Sequence, residues 1–111
     1  MSMAITHHHA DLGDVIIHYA KAGQGPVVVL VHGIPQTWYE WRYVMPRLAE
    51  KYTVIAPDLR GLGDSSHPAG GYDKKTMSDD IWRLLQSLGI DSFYLVGHDW
   101  GGPTAFSLAA Q

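Results

Sequence analysis

The sequence contains no cysteine, which excludes disulfides and thiolate metal sites and is compatible with a reducing compartment. Basic charge is also scarce, since eight Lys and Arg against eleven Asp and Glu give a formal net charge of −3. The two signs are mixed, so no basic stripe is available for nucleic acid and no cationic face for a membrane. No apolar run approaches the ~20 residues of a membrane span, and residues 1–13 lack a signal-peptide pattern. We therefore expect a cytoplasmic protein without nucleic-acid or membrane partners.

The composition is that of a globular chain. Hydrophobic residues make up 46% of the 111 residues and charged residues 17%, which predicts one folded domain, or most of one. The helix predicted after Asp99 reaches Gln111 without a Gly or Pro stop signal near its end. We therefore expect the natural chain to continue beyond Gln111.

Three apolar runs predict strands, and they are spaced by helical patterns. Residues 27–31 form an unbroken β-branched run, as expected of a central strand that is covered on both faces of a parallel sheet. Further strands are predicted at 52–57 and 92–96, and residues 10–22 predict a short antiparallel hairpin at the sheet edge. This alternation predicts an α/β fold with a mostly parallel sheet and helices on both faces.

Two helices are predicted between these strands. The first covers residues 38–48 and is interrupted by Pro46. The second has an apolar face of Met and Leu-type side chains and ends at Gly89. Its start is assigned to a capping box formed by Thr76 and Asp79.

The third strand leads into a turn framed by glycines, and Asp99 is at its centre. Glycines two positions before and after a reactive residue are typical of a strained strand-to-helix elbow. With Asp99 at the apex, the expected chemistry is attack of a carboxylate on carbon to give an ester. The amide of Trp100, at the start of the next helix, is a candidate oxyanion donor. The simpler interpretation is a surface aspartate that caps a helix.

A loop follows the central strand, at the edge of the sheet where α/β proteins bind ligands. Its Ile34 is the candidate for a second oxyanion-binding amide. We interpret His32 as a buried, hydrogen-bonded loop residue rather than a proton-transfer group. Trp38 lies nearest this loop and is a candidate wall of the substrate pocket, whereas most of the nearby aromatic residues are assigned to the core.

The remaining motifs are assigned structural roles. Three adjacent histidines, at positions 7–9, cannot converge on one metal ion from a strand. Gly61 and Gly63 lack the third glycine and the immediate helix of a dinucleotide site. Ser65 has no elbow around it and is interpreted as a turn-forming hydroxyl. We therefore expect neither a metal nor a cofactor.

Three segments together resemble the α/β-hydrolase fold and, within it, the epoxide hydrolases. They are His32-Gly33-Ile34-Pro35-Gln36-Thr37-Trp38-Tyr39-Glu40-Trp41-Arg42, Asp58-Leu59-Arg60-Gly61-Leu62-Gly63-Asp64-Ser65, and Gly97-His98-Asp99-Trp100-Gly101-Gly102. The resemblance covers residues 15–111. It implies that residues 1–111 are the amino-terminal part of one α/β-hydrolase domain, without its cap and its carboxy-terminal strands.

Single positions distinguish the branches of this fold. The resemblance to haloalkane dehalogenases implies a halide held by the indole of Trp100 and by an Asn side chain at position 34, where this sequence has Ile34. Fluoroacetate dehalogenases typically place Arg where Trp100 stands. Epoxide hydrolases need only the backbone amide of Ile34, so we favour epoxide opening to a vicinal diol, with haloalkane dehalogenation as the alternative. The implied substrate is a small hydrophobic epoxide or halide, and the oligomeric state stays open.

The implied mechanism needs residues that this sequence does not supply. In the fold's chain order the histidine base and its carboxylate partner follow the nucleophile, but residues 100–111 contain no His, Asp, Glu or Tyr. The resemblance also implies an acid that protonates the leaving oxygen, usually a tyrosine from the lid (cap) domain of relatives, and it is missing for the same reason. Two hypotheses remain: an amino-terminal part of an enzyme, inactive alone, or a non-catalytic module that keeps the elbow as scaffold.

Overall fold

The computed structural model describes residues 5–33 and 37–97. The predicted elbow, its following helix and the loop residue Ile34 lie outside these ranges. In the described part of the chain, no helix has the length and apolar content needed to cross a bilayer.

A five-stranded mixed sheet forms the centre of the described structure, in the spatial order β1-β2-β4-β3-β5. Its strands are β1 (Thr6–Asp11), β2 (Ile16–Ala22), β3 (Val27–Val31), β4 (Thr53–Pro57) and β5 (Phe93–Gly97). β3 is parallel to both β4 and β5, whereas β2 is antiparallel to β1 and to β4. The predicted α/β class, the parallel core and the amino-terminal hairpin are therefore confirmed, although β1 begins at Thr6, earlier than the hairpin predicted for 10–22.

The central strands β3 and β4 are covered on both faces, which explains the unbroken apolar run in β3. Val29 and Val31 join one core cluster, which includes the helix α2 (Lys74–Ser87). Val28 and Leu30 join a second cluster on the opposite face, against the helix α1 (Met45–Leu48). Because successive strand side chains point to opposite faces, such a strand needs apolar residues at every position.

The first predicted helix forms as two short pieces. Trp38–Trp41 is a 3-10 helix, and α1 starts after a turn. Pro46 lies in the first turn of α1, where its missing N–H costs nothing. The predicted interruption is thus present, but it precedes the proline instead of falling on it.

The predicted start of α2 is wrong. Asp73 is the N-cap, and its carboxylate accepts hydrogen bonds from the backbone N and the Oγ1 of Thr76, at 3.1 and 2.8 Å. These bonds hold the pKa of Asp73 below its usual value. Thr76 is therefore an interior helical residue. The predicted end is confirmed, since Gly89 follows the helix with φ of +72°, a conformation that favours glycine.

The cap predicts unequal effects of two substitutions in the complete gene product. Asp73→Ala removes the side chain that satisfies the amide of Thr76, and we expect the melting temperature to fall by a few degrees. Asp79→Ala is the matched control, and we expect little change. Thermal unfolding followed by circular dichroism measures both. A larger fall in melting temperature for Asp79→Ala would support the capping box of Thr76 and Asp79 instead.

Candidate functional site

The candidate site lies at the edge of the sheet where the parallel strands end. Val31, the last residue of β3, pairs with Gly97, the last residue of β5. The segments that follow these two strands therefore leave the sheet side by side. β4 is parallel to β3 on its other side and ends at Pro57, so Asp58 begins a third segment at the same edge.

His32 is fully buried directly after β3, and both of its ring nitrogens have partners. Nδ1 donates to the carbonyl oxygen of Gly33 at 2.7 Å, and Nε2 accepts from the backbone N of Leu59 at 3.0 Å. Burial lowers the pKa of His32 and so favours the neutral ring. The expectation of a buried, hydrogen-bonded loop histidine is confirmed. The ring joins the segment after β3 to the segment after β4.

A carboxylate accepts a hydrogen bond from the backbone amide of Gly33. Its backbone N donates to Oε1 of Glu40 at 2.8 Å, across the loop that contains Ile34. Both backbone polar groups of Gly33 are thus bonded, the carbonyl to His32 and the amide to Glu40. The entry to the loop is fixed by these two side chains.

Asp58 fixes the exit of the same loop. Its buried carboxylate accepts a hydrogen bond from the backbone N of Trp38 at 2.7 Å through Oδ1. Oδ2 accepts from Nδ1 of His18 at 2.7 Å and from the backbone N of Asp64 at 3.0 Å. A Cβ at Gly63 would collide with this carboxylate, so glycine is required there. The glycine-bearing loop is structural, as predicted.

Ser65 supports Asp58 from the backbone side. Its hydroxyl donates to the carbonyl oxygen of Asp58 at 2.6 Å and accepts from the backbone N of His18 at 2.9 Å. The side chain is buried, and the interpretation of Ser65 as a structural hydroxyl agrees with these bonds. It ties β2 to the segment after β4.

Trp38 is half-buried at the start of the 3-10 helix, and its indole meets the amino-terminal hairpin. The ring of His7 lies edge-on to it, with centroids 5.0 Å apart. His7 is also hydrogen-bonded to His18, with Nδ1 and Nε2 separated by 3.0 Å. In the described structure, the histidine run contributes these packing contacts and hydrogen bonds. Among the described residues, no group of three His, Asp or Glu side chains is arranged to hold a metal ion.

The sequence-based site residues are only partly described. Asp99, Trp100 and Ile34 lie outside the described ranges, and their roles stay predictions. Trp38 is next to the loop, as its position in the sequence indicated. Sequence reasoning missed Asp58 and His18, although a charged residue directly after a buried strand was a usable signal for Asp58.

Comparison with known proteins identifies relatives of this chain. A family model described as alpha/beta hydrolase fold matches residues 26–111. A soluble epoxide hydrolase from Corynebacterium sp. (strain C12) is 56% identical over 109 residues, which are 98% of this chain and 38% of that protein. A fluoroacetate dehalogenase from Burkholderia sp. is 44% identical over 104 residues, which are 89% of this chain and 34% of that protein. The chain thus spans less than half of the length of these relatives.

Solved structures of an epoxide hydrolase and of a dehalogenase also resemble this chain. The ligand-free epoxide hydrolase CorEH superposes with a TM-score of 0.93 at 56% identity, covering 96% of this chain and 38% of that one. A haloalkane dehalogenase loop variant from Bradyrhizobium elkanii superposes with a TM-score of 0.90 at 40% identity, covering 96% and 36%.

The buried neutral state of His32 predicts a pH dependence of stability. The pKa of His32 is lowered in the folded protein. As the pH falls through 6.5, the ordinary pKa of histidine, the unfolded chain therefore binds more protons than the folded chain. The free energy of unfolding should therefore fall below that pH, by at most about 1.4 kcal/mol per pH unit from this one group. Denaturant titrations of the complete gene product at pH 7.5 and about 5.5 measure it.

His32→Gln provides the comparison for this effect. Glutamine can accept from Leu59 but does not titrate. We expect the difference in unfolding free energy between the two pH values to shrink in this variant. An unchanged difference would mean that His32 does not contribute to it.

Proposed function

Because the chain belongs to the α/β-hydrolase fold family, we propose that the complete gene product is a hydrolase that opens epoxides to vicinal diols through an ester of Asp99. The proposed substrate is a small hydrophobic epoxide. The proposed location is the cytoplasm, a proposal that rests on the lack of cysteine in the sequence. Residues 1–111 supply the nucleophile and the oxyanion-binding amides in this proposal, and they are proposed to be inactive alone.

The observation that carries the proposal is the pairing of Val31 with Gly97. It supports a site at one edge of the sheet, since the glycine-framed Asp99 follows β5 by two residues and Ile34 follows β3 by three. In α/β hydrolases the nucleophile follows a strand at this edge, and one oxyanion amide comes from the residue after it. The hydrogen bonds at Gly33 and Trp38 fix both ends of the loop from which Ile34 would donate.

The first proposed step is attack of the Asp99 carboxylate on an epoxide carbon. A C–O bond forms to the carboxylate oxygen as the ring C–O bond breaks, and the leaving oxygen takes a proton from an acid. The product of this step is a glycol monoester of Asp99. Trp38 would form part of the wall against which the apolar substrate packs.

The second proposed step is hydrolysis of that ester. A water that has given a proton to a histidine base attacks the ester carbonyl, and the resulting oxyanion is held by the amides of Ile34 and Trp100. Collapse of this intermediate breaks the ester bond, and the departing alkoxide takes the proton of the new carboxyl group, so that the diol is released and Asp99 is a carboxylate again. The protonated histidine returns its proton to the acid that gave one up in the first step. The base, its acidic partner and the proton donor are proposed to lie in sequence beyond these residues.

Haloalkane dehalogenation is the second candidate, because a haloalkane dehalogenase shares the fold of this chain. Trp100 supplies the indole that such a site uses, but Ile34 has no side-chain donor for a halide. Half of the proposed halide site is therefore missing. A non-catalytic module with the same elbow is the remaining alternative.

The nucleophile assignment predicts the behaviour of Asp99→Asn. The complete gene product with this substitution should lose epoxide hydrolysis by about 10³-fold or more, because an amide cannot form the ester. Asp91→Asn, at an exposed aspartate shortly before β5, is the matched control and should keep normal activity. Diol formation followed by chromatography measures both variants.

A single turnover in ¹⁸O-labelled water tests the ester directly. We expect the label in the peptide that contains Asp99 and unlabelled oxygen in the diol, because the first turnover transfers a carboxylate oxygen to the product. Label in the diol alone would contradict an ester intermediate. Halide release from a haloalkane without diol formation from any epoxide would favour the dehalogenase, and no turnover of either would favour the non-catalytic module.

A further inference from the structure

Four residues from distant parts of the sequence form a closed cycle of contacts around the exit of the loop. Trp38 donates its backbone N–H to Asp58, Asp58 accepts from His18, His18 is bonded to His7, and His7 packs against the indole of Trp38. We call these four residues the contact cycle. Its consequence is that Trp38 is held at both its backbone and its ring.

We propose that His7, His18 and Asp58 are positioning residues that fix Trp38 as a wall of the substrate pocket. This inference rests on the proposed function, because the position of Trp38 affects catalysis only if it lines the pocket. None of the three residues is proposed to touch the substrate. They act through Trp38, whose backbone follows the loop that contains Ile34.

The protons in the cycle can satisfy every bond at once. A carboxylate only accepts, so His18 donates from Nδ1 to Oδ2 of Asp58. In the neutral ring Nε2 is then an acceptor, and it can take the Nδ1–H of His7. His18 and Asp58 are both buried, so each of these polar groups needs its partner.

The strand geometry explains why His7 takes part and its neighbour does not. Successive side chains of β1 point to opposite faces of the sheet. His7 therefore shares a face with His18 and Trp38, whereas His8 stacks on Tyr19 with centroids 5.1 Å apart. His8 is bonded to Thr6 at 2.8 Å and makes no contact with the cycle in the described structure. It is a matched control on the same exposed strand.

Substitution of His7 tests the cycle without removing a buried charge. In the complete gene product, we expect His7→Ala to raise KM for a hydrophobic epoxide by about two- to tenfold, as expected for loss of one aromatic contact, with kcat changed less than about twofold. His8→Ala should leave both unchanged. Melting temperatures of the two variants control for general destabilisation.

A second readout does not depend on activity. The indole ¹H–¹⁵N resonance of Trp38, assigned by its loss in Trp38→Phe, should move in His7→Ala and stay in place in His8→Ala. If the resonance or the KM of His7→Ala matches that of His8→Ala, the inference is wrong. If the wild-type protein turns over no epoxide, the proposed function fails, and the resonance still decides whether His7 positions Trp38.

Discussion

The arrangement of the sheet edge that carries the candidate site depends on the hydrogen bonds of the buried carboxylate of Asp58. A buried charge is costly unless hydrogen bonds and charges compensate it. Here the donors are two backbone amides, of Trp38 and Asp64, and the ring of His18. These donors come from three different segments of the chain. Because losing any of them would leave the carboxylate poorly solvated, the three segments are fixed relative to one another.

This constraint gives the amino-terminal hairpin a role beyond covering a sheet edge. β2 is antiparallel to β4, and that pairing places His18 beside the segment that follows β4. β1 then adds His7 on the same face, against Trp38. The hairpin therefore contacts Trp38 after β3, although it lies at the opposite end of the sheet from β5.

The sequence was sufficient for features that depend on local periodicity. The β-branched run predicted β3, and the apolar spacing predicted the buried face of α2. The helix start was mispredicted because several nearby residues can each act as a cap, and only the backbone geometry selects Asp73. The pair of His18 and Asp58 was missed because the residues are 40 positions apart in the sequence. Their contact depends on the strand order, which local patterns do not contain.

The same backbone serves two reaction classes, since both epoxide hydrolases and dehalogenases match this part of the fold closely. Backbone position therefore cannot decide the substrate, and side chains must. The resemblance implies that a halide is held by N–H donors on side chains, whereas the oxyanion formed at an ester carbonyl needs only main-chain amides. A residue such as Ile34 has no side-chain donor to offer a halide, but it keeps its main-chain amide. In the proposed epoxide hydrolase, position 34 is therefore where the site would differ from that of a haloalkane dehalogenase.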